Sequence, residues 1–104
     1  MSVMLEFAMF PTDKGESVSA YVSRIIKTID ESGVSYQLTP MGTIIEVETL
    51  DEALDIIKRS YGQLEADCGR VYSSLKLDIR KGKGERLRQK IASVEKKIGR
   101  EVRK

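Results

Sequence analysis

Residues 34–49 read VSYQLTPMGTIIEVET, and this stretch decides the fold. Val34, Tyr36 and Leu38 alternate with Ser35, Gln37 and Thr39, the period of a half-buried strand. Thr39-Pro40-Met41-Gly42 fits a tight turn with Pro in its second position and Gly in its fourth, as type I prefers. Thr43 to Thr49 then reads as a second strand, so the segment is a β-hairpin. The question is what flanks it.

Upstream, Val18, Val22, Ile25, Ile26 and Ile29 make one apolar stripe at helical spacing, and Gly33 stops it in the left-handed conformation that glycine adopts without strain. Before that helix, Val3, Leu5, Phe7 and Met9 alternate with Met4, Glu6, Ala8 and Phe10, a strand closed by Pro11. Downstream, Thr49 and Glu52 form a Thr-x-x-Glu capping box. It opens a helix whose predicted apolar face is Leu50, Ala53, Leu54, Ile57, Tyr61 and Leu64. Val71, Ser73, Leu75, Leu77 and Ile79 define a last, long strand. The hairpin thus joins two βαβ crossovers, giving an α+β fold of ferredoxin-like βαββαβ topology, an antiparallel four-stranded sheet with two helices on one face. The other face would present Glu6, Ala8, Thr39, Glu46, Tyr72, Ser74, Lys76 and Asp78. After Arg80-Lys81-Gly82-Lys83-Gly84, the residues Leu87, Ile91, Val94, Ile98 and Val102 form a narrow seam. This is an extra C-terminal helix, and residues 81–104 are expected as a basic helical appendage to a single domain spanning 1–104.

The totals agree with a small globular domain. The chain has 104 residues, 40% hydrophobic and 33% charged, enough to bury roughly two thirds of its unfolded surface. No apolar run approaches the ~20 residues of a membrane helix. The N-terminal stretch carries Glu6 and no basic segment ahead of its apolar residues, so it reads as a strand rather than a signal peptide, and the expected compartment is the cytoplasm. Histidine is absent and Cys68 is the single cysteine. That removes the commonest general base and the Ser-His and Cys-His dyads, and argues against an enzyme and against a metal centre. Charge is divided: residues 80–104 hold eleven Lys/Arg and three Asp/Glu, whereas 1–79 hold seven and thirteen. A basic tail on an acidic body fits either phosphate binding or docking on an acidic surface.

Several residue sets admit both a structural and a functional reading. Thr39, Gly42 and Thr43 could offer hydroxyls and backbone groups to a planar heterocycle, with Glu46 facing a cationic ring; equally, the threonines could serve the strand ends and Glu46 could be solvated. Ser17 and Ser19 lie where helix caps belong. Tyr21, Tyr36, Tyr61 and Tyr72 are read as core-edge residues. Glu46, Glu48, Asp51, Glu52 and Asp55 match no cation-binding loop. Cys68 is read as an inert, partly buried thiol.

The sequence also resembles the small thiamine-binding proteins of the YkoF-like superfamily. The resemblance is carried by Phe10-Pro11, Ser17-Val18-Ser19-Ala20-Tyr21-Val22, Ser32-Gly33-Val34, Arg70-Val71 and Leu75-Lys76-Leu77-Asp78-Ile79-Arg80. Its most specific part is Leu38-Thr39-Pro40-Met41-Gly42-Thr43 with Ile45-Glu46. It implies a ferredoxin-like fold, sheet-to-sheet dimers that pair into homotetramers, and non-enzymatic binding of thiamine or its hydroxymethylpyrimidine moiety, with no cofactor beyond that ligand. It favours a ligand-binding role for Ser19, Thr39, Gly42, Thr43 and Glu46. The Lys/Gly-rich run after Arg80 departs from the family's common form. Two other classes compete: an oligomeric interaction or regulatory domain, and a non-specific nucleic-acid binder acting through the basic helix. The sheet lacks the aromatic string with which such folds stack RNA bases, so nucleic acid is disfavoured as a partner, as is a membrane.

Overall fold

The structure, a computed structural model, describes residues 1–82 and 86–99. Its elements are β1 (Ser2–Pro11), α1 (Ser19–Ser32), β2 (Ser35–Thr39), β3 (Gly42–Val47), α2 (Leu50–Gly62), β4 (Val71–Arg80) and α3 (Arg86–Ile98). The strands form one antiparallel sheet in the order β2-β3-β1-β4, the ferredoxin-like arrangement that the hairpin predicts.

Side-chain alternation sorts the sheet into two faces. Val3, Leu5, Phe7 and Met9 of β1 are buried beneath the helices together with Ile45 and Val47 of β3. Ile25 and Ile29 of α1, and Ala53 and Ile56 of α2, close over them. Register keeps these rows aligned: Leu5 lies between Ile45 and Leu77, and Phe7 between Thr43 and Leu75. The opposite rows pair Met4 with Glu46 and Asp78, and Glu6 with Ile44 and Lys76. α3 lies against β3. Because α2 already packs on the helix side of β3, α3 takes the face that the first two helices leave open. Leu87 and Val102 of the expected seam lie outside the residues whose side chains are described, as do Lys83 and Gly84 of the preceding run; Ile91 is half-buried, while Val94 and Ile98 remain exposed.

Helix ends follow local chemistry in two cases and depart from it in one. Gly33 adopts φ 81° and ends α1, its N–H donating to the Asp30 carbonyl. The Thr49 hydroxyl accepts from the Glu52 N–H at 3.1 Å, as the capping box requires. Ser17 does not cap α1: Val18 holds the N-cap position, and no side chain accepts a cap hydrogen bond there.

The buried face of α2 is also rotated from the one read from its apolar residues. Ala53, Ile56, Ser60 and Leu64 point inward, and Leu50, Leu54 and Tyr61 outward. Ser60 can occupy this stripe because its hydroxyl donates to the Ile56 carbonyl at 2.7 Å, leaving no unpaired polar atom. Ile56 is 3% exposed and Leu54 41%. We therefore expect Ile56→Ala to cost about 2–5 kcal/mol in urea unfolding, and Leu54→Ala well under half of that; equal costs would contradict the rotated face.

Candidate ligand site at the hairpin end of the sheet

Antiparallel pairing brings four chain segments to one end of the sheet. β1 exits there, α1 begins, the β2–β3 turn closes, and β4 enters opposite Pro11. Two further ties fasten the loops at this end. The Thr12 N–H donates to the Arg70 carbonyl at 2.8 Å, and the Asp13 carboxylate accepts from the Gly69 N–H at 2.7 Å. Arg24 of α1 clamps the loop after α2 through two parallel bonds to Asp67, each 2.9 Å, while donating to the Gln63 carbonyl at 3.2 Å. Its guanidinium also stands over the Tyr21 ring, 4.8 Å from the centroid.

This clamp perturbs titration. The hydrogen bonds from Arg24 hold the Asp67 carboxyl below its ordinary range, and the same bonds raise Arg24. Burial, followed by the neighbouring Asp67 charge, pushes the Cys68 thiol upward, consistent with the inert reading of that residue. Tyr36 is raised because its hydroxyl donates to Asp30 at 2.8 Å. Its role is structural, tying β2 to the end of α1.

The sequence-predicted site residues do not form one cluster. Thr39 spends its hydroxyl on the turn: it donates to the Gly42 carbonyl at 2.8 Å and accepts from the Met41 and Gly42 N–H groups at 3.2 and 3.1 Å. One hydrogen and two lone pairs are all that a hydroxyl has. Gly42 is required by close approach, because a Cβ there would sit 2.9 Å from the Phe7 carbonyl oxygen. Ser19 is exposed in the first turn of α1. Thr43 points to the helix side, opposite Phe7, and is 5% exposed. Glu46 lies on the other face, three residues or about 10 Å farther along β3, where it accepts from the Ser2 hydroxyl at 2.5 Å. Within one subunit, Thr43 and Glu46 cannot touch the same small ring.

Reading the residues one at a time misses the partner the structure gives Thr43. Ser73 of β4 faces the helix side, opposite Met9, and its hydroxyl is buried with no hydrogen-bond partner among the described residues. The Thr43 hydroxyl likewise makes no side-chain hydrogen bond there. The signal in the sequence was a lone serine in the apolar row Val71, Ser73, Leu75, Leu77, Ile79. Thr43 and Ser73 stand on the two strands flanking β1, offset by two residues, which puts their hydroxyls on the order of 10 Å apart. Phe7 and Met9 lie between them. A pair of donor–acceptor groups separated by apolar surface suits a flat molecule with polar atoms at both ends. Elsewhere, an open depression of about 430 Å³ at the opposite end of the sheet is bordered by Asp51, Glu52 and Asp55. Arg59 faces Asp55 across it at 3.8 Å, and among the described residues no His/Cys/Asp/Glu group could hold a metal ion. No helix among them is long and apolar enough to cross a membrane.

Comparison with known proteins gives a consistent set of matches. A family model described as "Thiamine-binding protein" matches residues 5–95. The chain is 37% identical to a UPF0045 protein of Methanothermobacter thermautotrophicus over 83 residues, covering 79% of this chain and 84% of that one. A UPF0045 protein of Mycobacterium tuberculosis is 33% identical, with 92% and 94% covered. Among solved structures, a hypothetical protein of Methanocaldococcus jannaschii superposes with a TM-score of 0.79 at 34% identity, covering 89% of this chain and 95% of the other. A proposed thiamine biosynthesis/salvage protein of Thermotoga maritima shares the fold with a TM-score of 0.77 at 23% identity, with 90% and 99% covered.

Two outcomes are expected from this geometry. An unpaired buried hydroxyl carries a desolvation cost of about 1–3 kcal/mol, so Ser73→Ala should leave urea stability unchanged or raise it; a loss above about 1 kcal/mol would reveal a bond the hydroxyl was making. Asp67, with its folded pKa depressed, contributes stability that is present above the ordinary carboxylate pKa of about 3.9 and is lost as pH falls through the folded value. The difference in urea midpoint between the wild type and Asp67→Asn should therefore be full at pH 7 and shrink at pH 3.

Proposed function

The chain belongs to the thiamine-binding protein family, and from that premise we propose that it is a non-enzymatic carrier of thiamine or of its hydroxymethylpyrimidine half. The observation that carries this reading is the unspent Thr43 hydroxyl, buried beside Phe7 and matched across β1 by Ser73. An aminopyrimidine presents donors and acceptors in one plane and two apolar faces. Hydroxyls at both ends of an apolar strip answer that pattern, and a ligand atom that pairs with either one relieves a standing cost.

In this reading Thr43 and Ser73 orient the ring. Ser19, at the start of α1, and the backbone of Gly42 border the same end of the sheet. Thr39 contributes by fixing the turn, because its own hydroxyl is fully engaged. Glu46, on the opposite face, reaches a bound cationic ring only from a neighbouring subunit. That fits the further proposals that the protein works as a homotetramer built as a dimer of dimers, and that it does so in the cytoplasm. No cofactor is needed, since thiamine is the ligand and no bond is made or broken. Histidine is absent from the chain, and among the described residues no nucleophile is paired with a base.

Calorimetric titration of dialysed protein with thiamine, thiamine pyrophosphate and hydroxymethylpyrimidine tests the reading. Saturable binding of thiamine or hydroxymethylpyrimidine is expected. Thr43→Val, which keeps volume but removes the hydroxyl, should weaken it about tenfold, the equivalent of one hydrogen bond of about 1.4 kcal/mol. No binding of any of the three by folded, ligand-free protein would overturn it.

A further inference from the structure

The two edges of the sheet are unlike. β2 has five residues and leads directly into Pro40; β4 has ten, with neither proline nor glycine. Natural proteins blunt exposed edges with short strands, prolines and charges, and β4 does the reverse. Its helix-side row, Leu75, Leu77 and Ile79, is 42%, 43% and 48% exposed, because α1 and α2 centre on β1 and β3 and do not reach it. An apolar row therefore runs along an edge whose outer backbone groups have no strand to pair with.

We propose that β4 pairs with β4 of a second copy of this chain, antiparallel about a two-fold axis at Leu77, to make a continuous eight-stranded sheet. Charge selects both the occupant and the register. On the opposite face β4 carries Lys76 and Asp78 in successive positions. With Leu77 facing its own copy, Lys76 opposes the partner's Asp78 and Asp78 opposes the partner's Lys76, while Leu75 opposes the partner's Ile79. All three apolar residues are then matched, and two opposite-charge pairs form. Moving the axis one residue, to Lys76 or Asp78, sets like charges against each other, which is destabilising. Lys76 already lies 3.9 Å from Glu6 of its own chain, an exposed contact worth little by itself. This inference deepens the self-association in the proposed function and is independent of the ligand.

Cysteine cross-linking in the full chain, in a Cys68→Ser background, reads the register. At the two-fold, directly opposed residues have Cα atoms about 4.5–5.5 Å apart, within disulfide range. Leu77→Cys should therefore cross-link under mild oxidation. Leu75→Cys should not, since its two copies would be about 13 Å apart. Light scattering should find the wild type self-associated. Asp78→Lys should weaken association about tenfold, and K76E/D78K should restore it. An oligomeric wild type in which Leu77→Cys fails to cross-link, or Asp78→Lys has no effect, would overturn the strand pairing while leaving self-association standing. A monomeric wild type would overturn both. Calorimetry on the same samples reports ligand binding separately.

Discussion

The constraint on which the molecule depends is the period of two along β1. A strand's side chains alternate between faces, and a slip of one residue would exchange every buried position for an exposed one. Here Val3, Leu5, Phe7 and Met9 must lie beneath the helices, because Ile25, Ile29, Ala53 and Ile56 have no other apolar surface to cover. That choice sets the phase of β3 and β4 through their registers. It also decides that Thr43 and Ser73 share a face with the core, and that Glu46 does not.

Much of the architecture could be read in the sequence because its signals are local. The hairpin, the Gly33 stop and the Thr49 cap each depend on a few neighbouring residues, and all three stand as expected. The face of α2 was less legible. Leu50, Leu54 and Tyr61 are as apolar as the residues that turned inward, and a serine on the buried stripe hid the true face. What selects that stripe is the surface of β1 and β3 beneath it, which no window within the helix contains. Ser17 was misread for a similar reason: a serine before a helix suits a cap, but where the chain enters from a loop tied to β4 decides which residue holds the position.

The candidate site was legible in kind and not in arrangement. Thr39, Gly42 and Thr43 lie together at the hairpin, yet each does something different. One hydroxyl closes a turn, one backbone permits a close approach, and one hydroxyl stays unspent. Ser73 joins Thr43 only through the pairing of β4 with β1, a contact between residues far apart in the chain. Sequence spacing cannot express that proximity. Glu46 illustrates the converse, since three residues along a strand are enough to change its face.

The Cys68 thiol supplies the molecule with a clock. It is buried in the loop between α2 and β4, and burial and Asp67 both hold it in its protonated, unreactive form. The thiolate is the species that alkylating reagents attack, so reaction waits until this loop opens. The rate at which a small alkylating reagent consumes Cys68 therefore measures the opening frequency of a single foldon, the one pinned by Arg24 and Asp13, against the slower global unfolding of the sheet.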